Sequence, residues 1–181
     1  DREQPDRQQT GQRTGQRTGQ RTGQSQKQRG LWLYGLHAVS AALQNPKRHS
    51  LRLLATTGSA ESLPDGRVEP EIVSRDVIDD AVPPGAVHQG VALQVGALEQ
   101  QGVEDIVRHA DNNDRTVVIA LDQVTDPQNV GAALRSAAAF GACAVVTPDR
   151  NTPEASGAMA KAASGALETV PLIRPNNLVR A

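Results

Sequence analysis

Three strand-like runs, spaced by two Ala-rich stretches, constrain this chain more than any other feature. Thr116-Val117-Val118-Ile119-Ala120-Leu121 has five strongly apolar positions in six. Such a run suits a strand buried on both faces of a parallel sheet. Cys143-Ala144-Val145-Val146-Thr147 and Val170-Pro171-Leu172-Ile173 supply the next two strands. Between the first two, a helix is expected from Pro127 or Val130 to Phe140. Asp126-Pro127 is its N-cap and first-turn pair, and Gly141 its stop. A second helix is expected from Pro153 to Leu167. Strand–helix–strand–helix–strand requires crossover connections and predicts a parallel sheet.

Upstream, the pattern changes. Residues 31–96 read as a small α/β unit. Leu31-Trp32-Leu33-Tyr34 is an apolar entry, and Leu36, Val39 and Leu43 recur at helical spacing until Asn45-Pro46. Leu51 to Thr56 and Val87 to Val95 read as strands, residues 57–70 as loop, and Val73 to Val82 as a short helix or a turn. Residues 97–114 are polar and acidic and read as a linker, with a short helix at Val103 to His109. Residues 115–181 form the second unit.

Residues 1–30 contain no Ala, Val, Leu, Ile, Met or aromatic residue and repeat Thr-Gly-Gln-Arg. They cannot bury enough surface to offset ordering entropy, so a disordered tail is expected. This tail has seven basic and three acidic residues, giving +4, while the rest has 12 and 17, giving −5. Arg13, Arg17 and Arg21 could tether RNA non-specifically, or the tail could be a solvated leader without a task.

Composition closes several alternatives. One Trp, one Tyr and one Phe argue against a base-stacking platform for single strands. Cys143 is the only cysteine, so no internal disulfide forms, in keeping with a cytoplasmic protein. His37, His49, His88 and His109 are scattered and suggest no metal site. No apolar run spans a membrane, and no secretory signal is visible. The Gly-rich dinucleotide fingerprint, the P-loop and the nucleophile elbow are all missing from the sequence.

The chemistry-bearing segment is Asp122 to Arg135, a polar loop at the carboxyl end of the first parallel strand, where ligands bind in such sheets. Asn129 offers an amide, Gly131 permits close approach of a backbone or a ligand, and Arg135 offers a guanidinium suited to phosphate. On one continuous helix Asn129 and Arg135 would stand roughly 120° apart, so they converge more easily if Asn129 is still in the loop. These residues fit an anion site at a helix N-terminus. They fit equally an Asx turn beside a surface arginine.

The stretch Leu121 to Gly141 resembles the first motif of the SpoU, or TrmH-type, branch of the SPOUT RNA ribose 2'-O-methyltransferases. Thr147-Pro148-Asp149-Arg150 and Lys161 to Leu172 resemble the segments downstream of that motif in the family. Trp32 to Val39 and Val87 to Val91 resemble the family's small L30e-like substrate-binding domain. The order of the halves is most like the bacterial 23S ribosomal RNA members. The resemblance covers roughly residues 31–181 and implies S-adenosylmethionine as methyl donor, ribosomal RNA as partner and a homodimer. It implies catalytic roles for Arg135 and Asn129, and RNA contact at Gly131 and Glu168. A solvated carboxylate is the plainer alternative for Glu168.

The family's later Gly-and-Glu and Ser-Leu-Asn motifs, which make its cofactor pocket and trefoil knot, do not occur in this sequence. The expectation is therefore the first half of an α/β-knot domain without cofactor-binding residues, inactive alone, with an uncovered apolar edge that favours self-association. A non-enzymatic RNA-binding module and a generic phosphate-binding α/β protein are the alternatives.

Overall fold

The computed structural model describes residues 30–150 and 152–181. The expected disordered tail, with Arg13, Arg17 and Arg21, lies outside the described residues.

The first sheet is mixed. It contains β1 (Leu31–Tyr34), β2 (Ser50–Ala55), β3 (Pro70–Ile72) and β4 (Val91–Val95), in the order β1-β4-β2-β3. Strand β4 is antiparallel to β1 and β2, and β3 runs parallel to β2. Alternation assigns the two faces. Leu33, Leu93 and Leu53 sit opposite one another and point into the main core with α1 (Leu36–Gln44). Tyr34, Ala92 and Leu54 point the other way, onto Ile78 and Val82 at α3 (Arg75–Ala81). The stretch 57–70 is not all loop: it holds the single turn α2 (Thr57–Ala60) and the start of β3. The strand expected from Val87 begins only at Val91, because Gln89 and Gly90 have φ of 57° and 78°.

The second sheet is parallel, in the order β5 (Val118–Ala120), β6 (Ala144–Val146), β7 (Leu172–Ile173). Helix α5 (Pro127–Ala139) links β5 to β6, and α6 (Gly157–Ala163) lies between β6 and β7. Val145 faces α5 and α6 in the main core, whereas Ala144, Val146 and Ile173 face Val103 and Ile106 of α4 (Val103–Asp111). The segment expected as a linker thus supplies a cover for the second sheet, through the helix expected within it.

Two expectations need correction. Strand β5 is not buried on both faces. It is an edge strand, with Val118 38 % exposed, because its apolar run has a neighbour on one side only. The helix expected through Leu167 ends at Ala163. Ser164 and Gly165 turn left-handed at φ of 51° and 96°, and a 3-10 turn comes next at Ala166–Glu168.

The two sheets share one core. Val39, Leu93 and Leu33 cluster with Val130, Leu134, Met159 and Ala163. Glycines allow the closest approach. A Cβ at Gly157 would stand 2.5 Å from the Trp32 carbonyl oxygen and overlap the Tyr34 ring. No described helix is long and apolar enough to cross a membrane.

Candidate functional site

Helix α5 starts as its sequence demands. Asp126 is the N-cap, its Oδ1 accepting from Gln128 N–H at 2.9 Å, and Pro127 fills the first turn. Asp126→Ala is expected to cost about 1 kcal/mol, read as a lower urea midpoint at unchanged slope. The capping carboxylate also removes one option. The Asp126 carboxylate already occupies this helix N-terminus.

Asn129 is the third residue of α5, not a loop residue, so it and Arg135 share one continuous helix. They stand roughly 120° apart and about 9 Å along the axis. They flank the solvent face and do not converge on one point. Both are exposed, and neither makes a side-chain hydrogen bond or ion pair among the described residues. Between them run Gln128, Ala132, Ser136 and Ala139, mostly short side chains. This low strip, bordered by an amide and a guanidinium, can take an extended polyanion across it better than a small ligand within it.

Two of the expected RNA contacts do not reach the surface. Gly131 is one. It is buried where α5 meets α6, and a Cβ there would overlap the Met159 carbonyl oxygen and lie 2.7 Å from the Ala162 Cβ. Its small size serves helix packing. Nor is Glu168 placed to meet solvent or RNA: its side chain is 3 % exposed and is paired with Arg48 at 2.6 Å. A fully used carboxylate beneath the surface has no lone pair to offer a ligand.

Several polar residues escaped sequence reasoning. Lys161 on α6 donates to the Val87 carbonyl at 2.5 Å and to Gln89 Oε1 at 3.4 Å, and burial lowers its pKa. His88 is buried; its Nδ1 accepts from Gly90 N–H at 3.1 Å and its Nε2 faces Asp79 at 3.2 Å. Both ring nitrogens are committed to shaping the turn before β4. Arg174 donates to the Asp149 and Thr152 carbonyls, holding the β6–α6 loop. Only their occurrence in the Lys161–Leu172 and Val87–Val91 stretches could have flagged Lys161 and His88.

Two clefts among the described residues lie elsewhere. One runs between His109, Cys143, Thr169 and Pro171, at the amino ends of β6 and β7; the other adjoins Asp79 and His88. Neither is lined by Asn129 or Arg135, and no cluster of metal-ligating side chains occurs among the described residues.

Comparisons with known proteins match this geometry in two segments. The SpoU rRNA Methylase family matches residues 116–181, and the RNA 2'-O ribose methyltransferase substrate binding family matches residues 32–101. The 23S rRNA (guanosine-2'-O-)-methyltransferase RlmB of Pasteurella multocida is 35 % identical over 160 residues, covering 82 % of this chain and 63 % of that protein. Its Escherichia coli K12 counterpart is 36 % identical over 159 residues, covering 82 % and 64 %. The chain thus spans a little under two thirds of these relatives. Among solved structures, the SpoU methyltransferase AviRb from Streptomyces viridochromogenes has a TM-score of 0.64 at 19 % identity, over 88 % of this chain and 59 % of that one. An AdoMet-bound rRNA methyltransferase from Sinorhizobium meliloti has a TM-score of 0.62 at 21 % identity, over 82 % and 55 %. At these identities the structural likeness concerns the fold.

Proposed function

We propose that the chain, whose residues 116–181 match the SpoU rRNA Methylase family and whose residues 32–101 match the substrate-binding family, serves 2'-O-methylation of a ribose in ribosomal RNA. The observation that carries this is Arg135, an exposed, unpaired guanidinium on the helix after the first parallel strand, inside the matched segment. When bound, S-adenosylmethionine, the methyl donor of this reaction class, would supply an electrophilic methyl carbon and leave as the thioether S-adenosylhomocysteine.

The chain's own residues act on the acceptor side. A guanidinium with a pKa above about 12 is a poor base. Arg135 instead grips an RNA phosphate and stabilises the charge that develops as the hydroxyl passes its proton to solvent water. Asn129, across the strip, donates its amide to the ribose or to the neighbouring phosphate. Ribosomal RNA places the work in the cytoplasm.

Arg135→Ala is expected to lower methyl transfer to a 23S rRNA transcript about a hundredfold, with Arg135→Lys failing to restore it because the fork is lost. Incorporation of labelled methyl is the measurement, and equal incorporation by Arg135→Ala overturns the assignment. One observation favours a second reading, an RNA-binding module without catalysis: the clefts lie away from Arg135. Salt-sensitive rRNA binding by the chain, with no heat on titration with S-adenosylmethionine, would select it.

A further inference from the structure

The most committed polar group in the molecule lies between the two sheets, away from Arg135. Glu168, in the 3-10 turn before β7, receives both Arg48 Nε, at 3.0 Å to Oε2, and Arg48 NH2, at 2.6 Å to Oε1. Asn45 Nδ2, at the end of α1, donates to the same Oε2 at 2.8 Å. The remaining arm of the guanidinium, NH1, donates to the Gly96 carbonyl just after β4 at 2.9 Å. Arg48 and Glu168 side chains are 2 % and 3 % exposed. One network thus ties α1, the α1–β2 turn and the end of β4 to the second sheet's last crossover.

The apolar contacts around this network do not by themselves fix orientation, and another polar link across the seam, Lys161 to the Val87 carbonyl and Gln89, lies at its exposed rim. The seam is built from small apolar surfaces: Gly157 against Trp32 and Tyr34, and Gly165 against Ala41. Ala42, Ala160, Ala163 and Ala166 are buried in the same core. Burial of such surface is non-directional and tolerates sliding. A bidentate guanidinium–carboxylate pair is directional and admits one register. Buried pairs add little net stability over apolar replacements, so specificity is the role physics leaves them.

We propose that Arg48, Asn45 and Glu168 are positioning residues, a latch that sets the angle at which the substrate-binding sheet is held over the helix carrying Asn129 and Arg135. Its purpose rests on the RNA-methylation reading: RNA held by the first sheet meets Arg135 at one fixed place. The latch itself does not depend on that reading.

Spin labels at Asp80→Cys on α3 and Ala139→Cys on α5, in a Cys143→Ala background, read the angle as a distance distribution without RNA or cofactor. The parent chain should give one narrow distance. Arg48→Met combined with Glu168→Leu should melt at the same temperature or higher, yet give a distribution roughly twofold broader. Arg48→Lys, which keeps the charge but not the fork, should fall between. An unchanged narrow distance in the double variant overturns the proposal. So does loss of cooperative melting, because the pair is then holding the fold and not the orientation. Failure of methyl transfer with a narrow parent distance would count against the RNA reading alone.

Discussion

Gly131→Ala will lower stability by about 1–2 kcal/mol, although alanine is the better helix former. At an open helical position the exchange gains about 1 kcal/mol. Here the added methyl meets the Met159 carbonyl oxygen, the Ala162 Cβ and the Ala163 amide nitrogen of α6. Two of those three are backbone atoms, which no rotamer change can move. The helices must separate, and overpacking of this kind costs about 1–3 kcal/mol or more. Gly131→Val should be worse. Gly58→Ala is the control, since a Cβ there meets nothing within 4 Å, and it should be neutral or slightly stabilising. Urea unfolding of the three variants measures the contrast. A Gly131→Ala protein as stable as its parent would show that α5 and α6 do not pack this closely.

Glu168→Ala should cost more, about 3–5 kcal/mol, because it strands a buried guanidinium. Arg48 would keep only the Gly96 carbonyl, and Asn45 would lose its side-chain acceptor. Glu168→Gln retains an acceptor of the same shape and should lose less. Replacing both charges with apolar side chains should be nearly neutral, so the cost of the single change measures an uncompensated charge and not the worth of the pair. The quantities to compare are the urea midpoints of the two single variants and the double variant. A Glu168→Ala midpoint equal to the parent's would contradict the buried pair.

These two residues also show where sequence reading stops. The strand and helix alternation of 116–173 was legible because period and punctuation are local properties. The Asp126 cap came from the same signals. Glu168 did not, since its partner lies 120 residues away and no local pattern marks a carboxylate that will be buried. Gly131 reads as room for a backbone or a ligand, and α6 takes that room; a glycine in a sequence does not say which of the two approaches. The break at Ser164-Gly165 was within reach, because Gly favours the left-handed conformation. The exposure of β5 was not, because an apolar run looks the same at a sheet's centre and at its edge.

The pairing of β1 with β4 sets the order in which this molecule can be made. Leu31 is matched with Val95, so the first sheet cannot close until the ribosome has released some 64 residues beyond its opening strand. Closure with α1 covers Leu33 and Leu93 only in part, because Met159 and Ala163 complete the same cluster. Long-range contacts of this kind slow folding. They also leave a half-made chain with an apolar face open to water. A nascent chain stalled between β4 and α6 is therefore the form most in need of a chaperone.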